Sequence, residues 1–140
     1  MVLLLNYLAP EFTEADVGKI SILGLAFIGD GVYEILVRTW LLTQAHTAAL
    51  DLHRKTVGMV NAGAQAEAYK IIADTLSEDE QAVYRRGRNA KVNQVPHNAS
   101  PAEYHSATGL EALFGYLYLN GKQARINELF ALITSDEILP

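Results

Sequence analysis

The chain has 140 residues, the size of one domain, and half of them are hydrophobic against 19% charged, which excludes disorder for most of its length. It has no cysteine, so a disulfide scaffold, a thiol nucleophile and a thiolate zinc site are all excluded. Eleven Lys and Arg against sixteen Asp and Glu give a net charge of −5, so any contact with nucleic acid must be a local patch.

The apolar start, Met1-Val2-Leu3-Leu4-Leu5, is short, lacks a basic flank and breaks at Asn6. Neither a signal peptide nor a membrane span is expected there, and a cytoplasmic protein fits. No period-two run with hairpin turns follows; apolar residues recur at three and four. The pattern predicts one all-α domain over residues 1–140, a bundle of about six or seven helices. From Ile20, the set Leu23, Phe27, Ile28, Gly31, Ile35, Leu36 and Trp40 makes a stripe about one helix face wide. The helix from about 22 to 42 carries more apolar residues than one face can bury, among them Phe27, Val32, Tyr33, Ile35, Leu36 and Trp40. That excess predicts a symmetric homodimer.

Thr47 is the expected N-cap of a second segment, residues 47–75, which Gly58 or Asn61-Ala62-Gly63 divides into two helices. Ser77-Glu78-Asp79-Glu80 spells a capping box, opening a helix expected to stop at Gly87. Residues 88–98 lack periodicity and read as the longest loop. Ser100-Pro101-Ala102-Glu103 is a second capping box, with Pro101 at the first helical position. Its helix ends at Asn120-Gly121, and a last helix from about 122 to 133 turns Ile126, Leu129, Phe130 and Ile133 inward.

Three features carry chemistry. Asp30 lies between Gly29 and Gly31 in an apolar helix; glycine there costs about 1 kcal/mol against alanine, so something large must approach this backbone closely. Glu34 shares its face. Glu111 is likewise an isolated acid in an apolar helix, flanked by small residues. A lone charge is rarely buried without a partner, and no Lys or Arg nearby in sequence offers to neutralise either acid. Two carboxylates meeting in a helix-lined cleft need a cation, and oxygen ligands favour a hard ion such as Mg²⁺, with Mn²⁺ as its substitute. The third feature is the run Arg85-Arg86-Gly87-Arg88-Asn89-Ala90-Lys91, which holds four positive charges and no acid. Arg85, Arg86, Arg88 and Lys91 are the expected phosphate grip, with His97 as an auxiliary contact. The four histidines show no metal-ligand spacing.

The segment Ala26-Phe27-Ile28-Gly29-Asp30-Gly31-Val32-Tyr33-Glu34 resembles the first acidic helix of the ribonuclease III family, Glu-Phe-Leu-Gly-Asp followed by a small residue. Thr108-Gly109-Leu110-Glu111-Ala112-Leu113-Phe114-Gly115 resembles its second, Asp-x-x-Glu-Ala-Leu-x-Gly. The resemblance spans about 22 to 119 and departs at two positions: Ala26 and Thr108 stand where that family carries acids. With the basic run and the absence of a double-stranded-RNA-binding domain before Pro140, these departures match the short Mini-III branch. The resemblance implies a homodimeric, Mg²⁺-dependent endonuclease of double-stranded RNA, leaving 5′-phosphate and 3′-hydroxyl ends and maturing large-subunit (23S) precursor ribosomal RNA. By position it makes Asp30 and Glu111 the retained catalytic and metal-holding carboxylates, with Glu34 as an auxiliary acid.

Two other readings belong to different classes. One is a non-catalytic ribonuclease-III-like module that binds structured RNA in a ribosome-associated assembly; retention of Asp30 and Glu111 argues against it. The other is a helical dimerisation module without RNA, against which the basic run argues.

Overall fold

The computed structural model describes residues 5–44, 48–91, 95–97 and 99–135, and among these it contains seven α-helices and no strand. The chain is all-α, as its periodicity predicts. The helices are α1 (Glu14–Gly18), α2 (Ile22–Leu42), α3 (Ala49–Val60), α4 (Ala62–Ile72), α5 (Glu78–Arg88), α6 (Pro101–Leu119) and α7 (Gln123–Thr134), with a 3₁₀ turn at Ala73–Thr75. Both capping boxes form. Ser77 and Glu80 exchange hydrogen bonds at the start of α5, and Ser100 and Glu103 do so at the start of α6. Thr47 lies outside the described residues; the residue preceding α3 is Ala48, which makes no side-chain cap. The break between α3 and α4 falls at Asn61, whose side chain accepts from the Ala64 amide at 2.8 Å, while Gly58 lies within α3. After α6 the chain turns at Gly121, where φ is +73°, a conformation that favours glycine.

Helix α6 is the central strut. Residues Ala107 to Gly115 are buried except for Glu111, which is half-buried. It packs on α2 at a spacing no side chain would permit. A Cβ on Gly29 would overlap the Glu111 carbonyl, and one on Gly115 would overlap the Leu25 carbonyl. Gly29 is therefore the glycine that the close approach demands, whereas Gly31 faces open space. On its other side α6 meets α5 through a second glycine pair. A Cβ on Gly87 would lie 2.8 Å from Gly109 Cα, and one on Gly109 would lie 2.7 Å from the Tyr84 ring. Tyr33 fills the space below, edge-on to Phe114 and Phe130. Ile126, Leu129, Phe130 and Ile133 of α7 are buried there as expected.

Two readings of α2 need correction. Val32 and Tyr33 belong to the core, and Leu36 and Trp40 pack against it. Leu23, Phe27 and Ile35, members of the stripe traced by the spacing of three and four, are exposed, Phe27 at 82%. The helix is apolar nearly all round, so a 3.6-residue period alone cannot say which side faces in. The inward face is Leu25, Ala26, Gly29, Val32, Tyr33, Val37 and Leu41. Leu23, Phe27 and Ile35 form an outward apolar strip, interrupted by Asp30, Gly31 and Glu34.

Candidate active site

The α2–α6 contact decides where the two acids sit. Gly29 brings the α2 backbone against the Glu111 carbonyl, so the next residue, Asp30, emerges beside the Glu111 side chain. The Asp30 carboxyl is near enough for its charge to act on Glu111. Asp30 is exposed and opens onto the outer groove of α2 with Gly31, Glu34, Ile35 and Arg38. Glu111 faces a deeper cleft of about 610 Å³ between the α3–α4 junction, the first turns of α6 and the segment around Pro96. Burial first, and the Asp30 charge second, push the Glu111 pKa up to about 8. Two like charges this close resist joint ionisation unless a cation joins them.

Gln65 of α4 reaches the same place. It is 1% exposed, and its Nε2 donates to the Val60 carbonyl at 2.9 Å and to Glu111 Oε2 at 3.4 Å. Its Oε1 is buried without a hydrogen-bond partner. Sequence reasoning missed Gln65 because a glutamine in an Ala-rich helix carries no signal until α4 is seen to cross α6.

The acids expected of the family pattern are absent in space as well as in sequence. Ala26 is buried in the packing around α2, and Thr108 is buried and donates to the Tyr104 carbonyl of its own helix at 3.0 Å. Among the described residues no three His, Asp or Glu side chains gather as a metal cage. The donors present are two carboxylates and one orphaned amide oxygen, an all-oxygen set that fits a hard divalent cation with retained waters. Asp30 and Glu111 would hold it. Glu34 is turned to Arg38, with which it pairs at 2.7 Å on the helix surface. His97 is exposed beside Val95, Pro96 and Tyr104 and does not line the Glu111 cleft.

The basic run is a helix end rather than a loop. Helix α5 continues through Gly87 to Arg88. Gly87 is there because the helix must touch Thr108, Gly109 and Ala112, not to stop it. Arg85, Arg86 and Arg88 occupy the last turn, where cations complement the helix dipole. All three and Lys91 are exposed. Among the described residues none of the four forms an ion pair; Arg88 bonds to Asn89 at 3.3 Å and lies 5.8 Å from the Tyr84 ring centroid. Gly87 fixes the end of α5 against Thr108, Gly109 and Ala112 of α6, so the cations stand on a rigid element.

The ribonuclease III domain family matches residues 23–122, a span that contains both acidic helices and the basic end of α5. The chain is 41% identical over 128 residues to a Mini-ribonuclease 3 of Clostridium tetani, covering 91% of this chain and 85% of that protein. It is 48% identical over 107 residues to a Mini-ribonuclease 3 of Symbiobacterium thermophilum, covering 76% and 82%. A crystal structure of a protein from Fusobacterium nucleatum superposes with a TM-score of 0.80 at 32% identity, covering 87% of this chain and 94% of the other. The paired acidic helices, the all-α frame that joins them and these similarities agree: the chain belongs to the ribonuclease III family.

Proposed function

We propose that the protein is a divalent-metal-dependent endoribonuclease that cleaves double-stranded RNA as a homodimer, with 1–140 acting as a single catalytic domain. The observation that carries this reading is the juxtaposition of Asp30 and Glu111, which Gly29 permits at the helix crossing, with no cationic side chain bonded to either among the described residues. A bound Mg²⁺, or Mn²⁺ in its place, supplies Lewis-acid activation of water and charge stabilisation at the scissile phosphate. Asp30 and Glu111 hold the ion. Burial of Glu111 keeps bulk water from competing for its carboxylate. The last turn of α5 grips phosphates through Arg85, Arg86 and Arg88, with Lys91 just beyond. An A-form duplex offers phosphates and 2′-hydroxyls across a shallow minor groove, so such a grip reads shape rather than sequence. Products then carry 5′-phosphate and 3′-hydroxyl ends.

The outward strip of Leu23, Phe27 and Ile35 supports the homodimer, because a two-fold contact there would cover apolar surface that the monomer leaves in water. Precursor 23S ribosomal RNA is the substrate that the Mini-III resemblance implies, and the proposed setting is the cytoplasm. Among the described residues no helix is long and apolar enough to cross a membrane.

The test is a labelled RNA duplex incubated with protein, with and without Mg²⁺. Cleavage only with the ion supports the reading. Binding without cleavage would favour an RNA-binding module, and neither would favour a dimerisation module.

A further inference from the structure

Gln65 is a buried polar side chain in the cleft, and among the described residues its hydrogen-bonding capacity is left half used. Its Nε2 is committed to the Val60 carbonyl at 2.9 Å and leans on Glu111 Oε2 at 3.4 Å. Turning the amide over would set its oxygen against that carbonyl and that carboxylate, three acceptors together, so the orientation is fixed by its surroundings. The Oε1 atom is consequently left buried with no donor. An unmet buried acceptor is destabilising, and a methionine or leucine would fill the same space without it. The residue lines the same cleft as Glu111.

We propose that Gln65 is a positioning residue of the cation site: its Nε2, anchored on the Val60 carbonyl, sets the Glu111 carboxylate for the bound divalent ion. This rests on the reading of Asp30 and Glu111 as the residues that hold the ion. Groups that orient metal ligands in this way commonly change metal affinity by about 10–100-fold when removed. Gln65 joins the end of α3, through the Val60 carbonyl, to Glu111 on α6, so ion binding is tied to the α3–α4 junction that walls the cleft.

The experiment measures Mn²⁺ binding to the full-length, RNA-free protein by electron paramagnetic resonance, beside thermal unfolding in EDTA and in Mn²⁺. Wild type, Gln65→Met, Gln65→Glu, Asp30→Asn and Glu111→Gln are compared. Gln65→Met should bind Mn²⁺ about tenfold more weakly and gain less in melting temperature from Mn²⁺ than wild type does. The Mg²⁺ concentration for half-maximal cleavage should rise in step, with duplex affinity in EDTA unchanged. Gln65→Glu adds a third carboxylate, so it should melt lower in EDTA and gain more from Mn²⁺ than wild type does. A purely structural glutamine would lower the melting temperature of Gln65→Met equally in EDTA and in Mn²⁺, and would give no metal-dependent recovery for Gln65→Glu. Unchanged Mn²⁺ affinity in Gln65→Met, with binding lost in Asp30→Asn and Glu111→Gln, would overturn the role of Gln65 and leave the acid pair standing. Mn²⁺ binding that survives Asp30→Asn and Glu111→Gln, or is absent from wild type, would overturn both.

Discussion

At the residue scale the protein holds its carboxylates in two opposite ways. Glu80 is satisfied: Arg125 of α7 donates to both of its oxygens at 2.9 Å, and Ser77 completes the box. The Arg125 hydrogen bonds hold its pKa below the ordinary carboxylate value. A carboxyl with a depressed folded pKa contributes stability that is fully present above the unfolded value and is lost as pH falls through the folded one. Arg125→Met should therefore lower stability near neutral pH by roughly 1.5–3 kcal/mol, typical for hydrogen bonds to charged groups. Its deficit relative to wild type should shrink below about pH 4 in urea titrations across pH. Glu111 is the contrary case, raised by burial and by Asp30. Glu111→Gln should leave the cation-free protein at least as stable as wild type in EDTA melts near neutral pH, because it removes a carboxyl whose raised pKa weakens the fold above the ordinary carboxylate value. Asp30 and Glu111 were legible in sequence, as isolated charges within apolar helices. The Arg125 partnership was not, because it joins residues 45 apart that only the docking of α7 against α4 and α6 brings together.

At the element scale, glycine spacing positions the site. Gly29→Ala would drive a methyl into the Glu111 carbonyl, and backbone on both sides leaves no flexible atom to yield. It should cost more than about 4 kcal/mol, the range of severe core disruption, or prevent folding, as judged by circular dichroism and melting. Gly31→Ala, with nothing within 4 Å of its Cβ, should instead stabilise an isolated α2 by up to about 1 kcal/mol. The sequence marked the Asp30 glycines as sites of close approach but could not say which of the two was approached. At Gly87 the same ambiguity misled: glycine is both a helix terminator and a helix-contact residue, and here it contacts α6. The basic end is therefore rigid, and its phosphate grip can be tested by charge alone. Neutralising Arg88 and Lys91 should weaken duplex binding for all sequences and flatten its salt dependence by about 0.7–0.9 in slope per lost contact. Single-turnover cleavage at saturating RNA should fall less than affinity. An unchanged slope in a binding series across salt would move the RNA grip elsewhere.

At the scale of the whole molecule, the outward face of α2 is where a monomer is incomplete. Composition pointed to a surplus of apolar residues on this helix, but it could not apportion them between core and surface. Phe27, at 82% exposure, is the clearest surplus, and Asp30 lies on the same strip. A two-fold contact there would set two acid pairs along one groove, as a duplex with two strands to cut requires. Sedimentation at micromolar concentration should show a dimer for wild type and a monomer for Phe27→Asp, whose helical signal should be unchanged. A monomeric wild type would contradict the proposed assembly.

The central claim is that Asp30 and Glu111 together hold a divalent ion that cleaves an RNA duplex. Its most direct measurement is single-turnover cleavage of an end-labelled duplex in Mg²⁺ by wild type, Asp30→Asn and Glu111→Gln, with duplex binding measured in parallel. The account predicts Mg²⁺-dependent cleavage by wild type, and loss of cleavage in each variant with binding and fold largely retained. Near-normal turnover by either variant would contradict it.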